Sequence, residues 1–235
     1  MRYILPALLI AFALPAQAAP PDLKGKSLDE TFTELLPSIG KGDNTAKGSP
    51  GQKWQDICFA IGAPGNEKLR EEACKLMAAK LDDKNPKPLR LWMLAQLQRI
   101  GHEESIGGIA AILDDTDDEV REAAVRAMAN NASPKATKEL AAKIPIGVSL
   151  PADGVRRKVA LINALGHRGD PAAIDTILKS YEAAGPAEIA AARALGRIPG
   201  PDAVKALNTL RNQAKAEVHA AIADALLVHA DRLLK

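Results

Sequence analysis

From residue 54 to residue 235 apolar residues recur at helical spacing, each stretch closed by a short polar break, and no run shows the strict alternation of a strand. The stretches repeat one another. WMLAQLQRIG (92–101), VREAAVRAMA (120–129), RKVALINALG (157–166), AEIAAARALG (187–196) and VHAAIADALL (218–227) align without gaps. One column is alanine throughout: Ala95, Ala123, Ala160, Ala190 and Ala221. Five residues on, the column is always large and apolar, and the next position is Gly101, Gly166 and Gly196 in three copies. A glycine there is expected to end a helix in the left-handed conformation. Five residues after that position stand Pro134, Pro171 and Pro201, each behind Ser133, Asp170 or Gly200, the signature of a second helix starting. Its apolar face follows as Ile106, Ile109 and Ile112, then as Ile174 and Ile177, then as Leu207 and Leu210. Two-helix units of this kind, roughly 30 residues long, cannot bury their apolar faces alone, so they are expected to stack. IPIGVSLPADG (144–154) lengthens one interval and reads as an inserted loop.

The first 53 residues differ from the rest. Arg2 precedes an apolar run from Ile4 to Leu14, followed by Pro15 and the small-x-small site Ala16, Gln17, Ala18. This layout predicts a secretory signal over residues 1–18, hence export to the periplasm or the extracellular space. The run is too short for a bilayer that needs roughly 20 apolar residues, so no stable membrane insertion is expected after cleavage. Residues 19–53 read as an N-terminal arm. Leu28, Phe32, Leu35 and Leu36 share a face behind a Ser27 and Glu30 capping box, and GKGDNTAKGSPGQK (40–53) reads as a flexible linker. Residues 54–235 form the repeat domain.

The formal charge of +2 includes Arg2, so the mature chain is near neutral and nucleic acid is not an expected partner. Aromatic residues make up only 3% of the chain, which suits close helix packing. Two cysteines, Cys58 and Cys74, stand on the two predicted helices of the first unit. In an exported protein such a pair predicts one disulfide, closing a loop of about 15 residues and worth roughly 3 kcal/mol.

LDDTDDEVREAAVRAMA (113–129) and the close AEIAAARALG resemble HEAT repeats, in particular the short bacterial type also seen in the phycobilisome lyase family. The resemblance runs from about Trp54 to Lys235 and rests on the Asp-containing turn, the Val120-Arg121 dyad, the alanine pair and the closing Ala-Leu-Gly. Val155-Arg156 repeats the dyad, and LDDKNPKPLR (81–90) repeats the turn. It implies an all-α fold, an α-solenoid of about five to six helical hairpins. Resemblance to a lyase family does not carry lyase activity with it, because the unit is a scaffold used for many purposes.

The acidic run Asp114, Asp115, Asp117, Asp118, Glu119 could be taken for a calcium loop. Counted from Asp115, the glycine and the bidentate glutamate such a loop needs fall on Val120 and Arg126, so the match fails at both anchors. The acids read instead as the start of a helix. His102 and His167 stand in one column two repeats apart, roughly 20 Å in a stacked array, too far to share a metal. No nucleophile motif, phosphate loop or haem-attachment motif is present, so no catalytic residue, metal or cofactor is expected. The exposed face of the second helices carries Lys135, Lys138, Lys179, Lys205 and Arg211 as a possible partner surface, interrupted by Glu103, Glu104 and Asp175. The function expected is that of a non-catalytic scaffold binding another exported protein. The alternatives are a lyase-like or accessory protein holding a small ligand in its groove, and a structural component of an envelope assembly.

Overall fold

The computed structural model describes residues 21–147, 149–181 and 185–234. The expected signal segment lies outside the described residues. Among the described residues there are twelve α-helices and no strand. α1 (Leu28–Leu35) opens with the capping box the sequence predicts: Glu30 N–H donates to Ser27 Oγ at 3.1 Å and Ser27 N–H to Glu30 Oε2 at 2.8 Å. Its buried Leu28 and Phe32 press on the first hairpin, where the rings of Phe32 and Trp54 stand 4.6 Å apart.

Five hairpins follow: α2 (Pro50–Ile61) with α3 (Glu67–Ala78), α4 (Lys87–Ile100) with α5 (Ile106–Ala111), α6 (Asp118–Asn130) with α7 (Lys135–Ala142), α8 (Ala152–Arg168) with α9 (Ile174–Lys179), and α10 (Pro186–Arg197) with α11 (Pro201–Gln213). A lone α12 (Ala216–Leu233) ends the array. The first helices α2, α4, α6, α8, α10 and α12 each pack on the next. The second helices form a parallel layer, in which α3 meets α5, α5 meets α7, and α9 meets α11. This is an α-solenoid with one continuous core, and Trp54, Met77, Met93, Ile109, Met128 and Leu207 are buried along it. None of the described helices is long and apolar enough to cross a membrane.

Two sequence expectations change here. The stretch expected to be a flexible linker to residue 53 ends earlier, because Ser49 caps α2, accepting from Gln52 N–H at 3.1 Å, and Pro50 sits in its first turn. Caps leave no apolar periodicity, so this start is invisible to a pattern search. The glycine column also differs. α4 does stop at Ile100, but Gly101 has φ −56° rather than a left-handed value. Gly166 and Gly196 lie inside α8 and α10, and the left-handed residue is Gly169. Their role is close approach. A Cβ on Gly166 would stand 2.6 Å from Ala194 Cα, and one on Gly196 2.8 Å from Ala225 Cβ. These glycines are where one first helix crosses the next.

The proline column holds. Pro201 opens α11, Pro171 opens the 3-10 turn before α9, and Pro134 immediately precedes α7. In the alanine column Ala123, Ala190 and Ala221 are buried, Ala160 is half-buried and Ala95 is exposed.

Candidate functional site

All five acids of the run at 114–119 are engaged in ion pairs, Asp118 with Arg121 of its own helix and the others with cations of other helices. Asp114 meets Lys143 at the end of α7 and Arg157 on α8, the latter at 2.6 Å. Asp115 meets Arg90 of α4, both side chains being largely buried, and accepts the Asp117 N–H at 2.9 Å. Asp117 caps α6 through the N–H groups of Glu119 and Val120, while Lys87 bridges Asp117 and Glu119 at 2.9 and 2.8 Å. Arg121 binds Asp118 and reaches the Asp115 carbonyl at 2.7 Å. Among the described residues Arg156 pairs with Asp153, at 2.9 Å, on the exposed side of its own helix. The acid run is thus a junction joining three successive units. Among the described residues no cluster of His, Cys, Asp or Glu is placed to hold a metal ion.

Burial alone would raise the Asp115 pKa, but the Asp117 N–H and the Arg90 guanidinium more than offset it and hold the carboxyl below its ordinary value. The Lys87 ammonium and the capping N–H groups do the same for Asp117. Such carboxylates ionise more readily folded than unfolded. Their contribution to stability is therefore complete above about pH 4 and is lost as pH falls through the folded-state values. We expect the urea midpoint to fall between pH 5 and pH 3 and the Asp115→Asn variant to lose part of that dependence; an identical slope in the variant would count against the junction.

A second network was not foreseen. Arg168, at the C-terminus of α8, donates five hydrogen bonds to the preceding unit: to the carbonyls of Met128, Ala129, Asn131 and Ser133, and to Thr137 Oγ1. These include the carbonyls that the end of α6 leaves without helical partners. Arg232 does the same for α10, donating to the Gly196 and Arg197 carbonyls at 2.9 and 3.0 Å. The two arginines stand at different offsets from the repeat columns, so aligning the units could not reveal them.

The expected bond between Cys58 and Cys74 is not present. Both are free thiols buried in the first hairpin, and Cys74 Sγ lies 3.5 Å from the Ile100 carbonyl, the end of the next unit's helix. Burial pushes both thiols up, Cys74 to about 11, so neither is a nucleophile at neutral pH. The pair packs as small apolar side chains.

The grooved face belongs to the first helices. A cavity of about 440 Å³ runs across four of them, from Gln98 on α4 past Arg126 and Asn130 on α6 and His167 on α8 to Arg197 on α10. Its floor is small and apolar, with Val125, Ala129, Ala160 and Ala164. A neighbouring hollow of about 600 Å³ continues it along α8 through Val155, Val159 and Asn163 to Pro186. The residues expected as a partner surface lie elsewhere. Lys135 and Lys138 are on α7, Lys179 on α9, Lys205 and Arg211 on α11, all in the opposite layer, and none lines these cavities. A separate cavity of about 560 Å³ lies between the arm and α2, with lysines and acids of both signs on its walls, Lys26 paired to Glu34 among them.

The family model described as HEAT repeats matches residues 73–144, the span from the second half of α3 through α7. No curated protein matches the chain. Among solved structures, a designed armadillo repeat protein in complex with peptide (KR)4 is 18% identical, covering 83% of this chain and 98% of its own, with a TM-score of 0.43. An engineered protein from a structural genomics consortium is 20% identical, covering 84% and 96%, also at 0.43. The α-solenoid assignment rests on the packing described above, and the HEAT match covers part of the first hairpin and all of the second and third.

Proposed function

We propose that the protein is a non-catalytic scaffold that acts outside the cytoplasm and holds a polypeptide partner along the groove of its first helices. The observation that supports this is the continuous hollow spanning α4, α6, α8 and α10, floored by alanine and valine and rimmed by amide and guanidinium groups. A floor of small side chains admits a backbone closely, and amides on the rim can pair its N–H and C=O groups. None of the groups there forms a nucleophile and base pair, which favours binding over chemistry.

The test is purification of the full chain from its own cells. A polypeptide is expected to copurify in stoichiometric amount, to be lost with Asn163→Trp, which fills the groove, and to be retained with Lys138→Trp on the outer layer. Retention by the groove variant, or loss by both, would contradict the assignment.

A further inference from the structure

Resting on that reading, we propose that the groove takes an extended acidic segment of the partner, its carboxylates meeting the arginines of α10. Glu122, the acid that lines the groove, is engaged by Arg126 of its own helix at 3.7 Å, and beside the groove Asp118 pairs with Arg121 and Asp153 with Arg156 at 2.9 Å. Arg193 and Arg197 differ. Arg197 lines the groove and Arg193 is exposed one turn before it on α10, and among the described residues neither side chain has an ion-pair partner. The groove therefore presents unspent positive charge at one end, and the chemistry that complements it is a carboxylate.

The remaining polar groups define what the carboxylates are attached to. Asn130 and His167 sit 3.3 Å apart in the cavity, with Gln98 and Asn163 on either side. Neutral amides of this kind pair main-chain groups of an extended chain. Four helices spaced about 10 Å apart span roughly 30 Å, the reach of about nine extended residues. On α12, Asp224 stands in the register position that Arg193 holds on α10, three residues before the crossing position, and it is exposed. A carboxylate there repels an acidic chain, so the preferred stretch ends at α10.

The test uses the full chain and three labelled peptides of about ten residues, alternating Glu-Ala, Lys-Ala and Ser-Ala, read by fluorescence anisotropy. The Glu-Ala peptide is expected to bind about tenfold or more tighter than the others, and to weaken as salt is raised. The Arg193→Glu, Arg197→Glu double variant should lose about tenfold or more of that affinity, while Lys135→Glu, Lys138→Glu on the outer layer stays within about twofold. Both pairs are exposed, and circular dichroism confirms that each variant folds. Tighter binding of the Lys-Ala or Ser-Ala peptide, abolished by Asn163→Trp, overturns the acidic preference and leaves the groove as a peptide site. Tighter binding of single-stranded DNA of similar length also overturns it. If no peptide binds and Asn163→Trp leaves copurification intact, both readings fall.

Discussion

Gly166→Leu is expected to destabilise the protein by about 3 kcal/mol, at the upper end of what overpacking a well-packed contact costs. The first atom of the new side chain would already lie 2.6 Å from Ala194 Cα and 2.7 Å from Ala194 Cβ. Neither can rotate away, so α8 and α10 must separate along the crossing. Gly107→Leu is the internal control, since nothing lies within 4 Å of a Cβ there and the residue also sits in a helix. Chemical denaturation of both variants separates the two causes. Gly107→Leu should be neutral or slightly stabilising, because leucine is the better helix former; a loss there as large as in Gly166→Leu would mean that the crossing is not the cause and that the column has been misread.

Arg168→Ala is expected to cost about 3 kcal/mol, because several carbonyls at the end of α6 lose a charged donor while remaining shielded by α8. Burial lowers the Arg168 pKa, yet an arginine stays protonated throughout the accessible range, so the loss should be independent of pH between 5 and 9. Arg168→Lys recovers little, since one ammonium cannot reach the spread of acceptors that the guanidinium covers. The effect should also be visible at a distance. Hydrogen exchange at the α6 C-terminus should accelerate in Arg168→Ala; acceleration confined to α8 would show that the arginine stabilises only its own helix.

The repeat was legible because each unit obeys the same local rules. Alanines at the helix contacts, prolines at second-helix starts and Asp117 as a cap are choices dictated within a few residues of themselves, so they recur in register. Gly166 and Gly196 were found for the wrong reason. Their requirement comes from a helix some thirty residues away, which local rules attribute to a helix end. Arg90 and Arg168 act across units at unequal offsets, and no column records them. The grooves along the first helices were not legible either, since which residues of successive units line one hollow depends on the approach of helices in three dimensions. Cys58 and Cys74 illustrate the other failure: the expected compartment argued for a bond, and packing puts each thiol to a different use.

That the first-helix layer is the binding face can be tested most directly by placing a photoreactive amino acid at single positions of the full chain in its own cells. Asn163 and Arg197 report on the groove, Lys138 and Arg211 on the outer layer. The structure predicts a crosslinked polypeptide from both groove positions and none from the outer pair. Crosslinks from Lys138 and Arg211, with Asn163 and Arg197 silent, would contradict it.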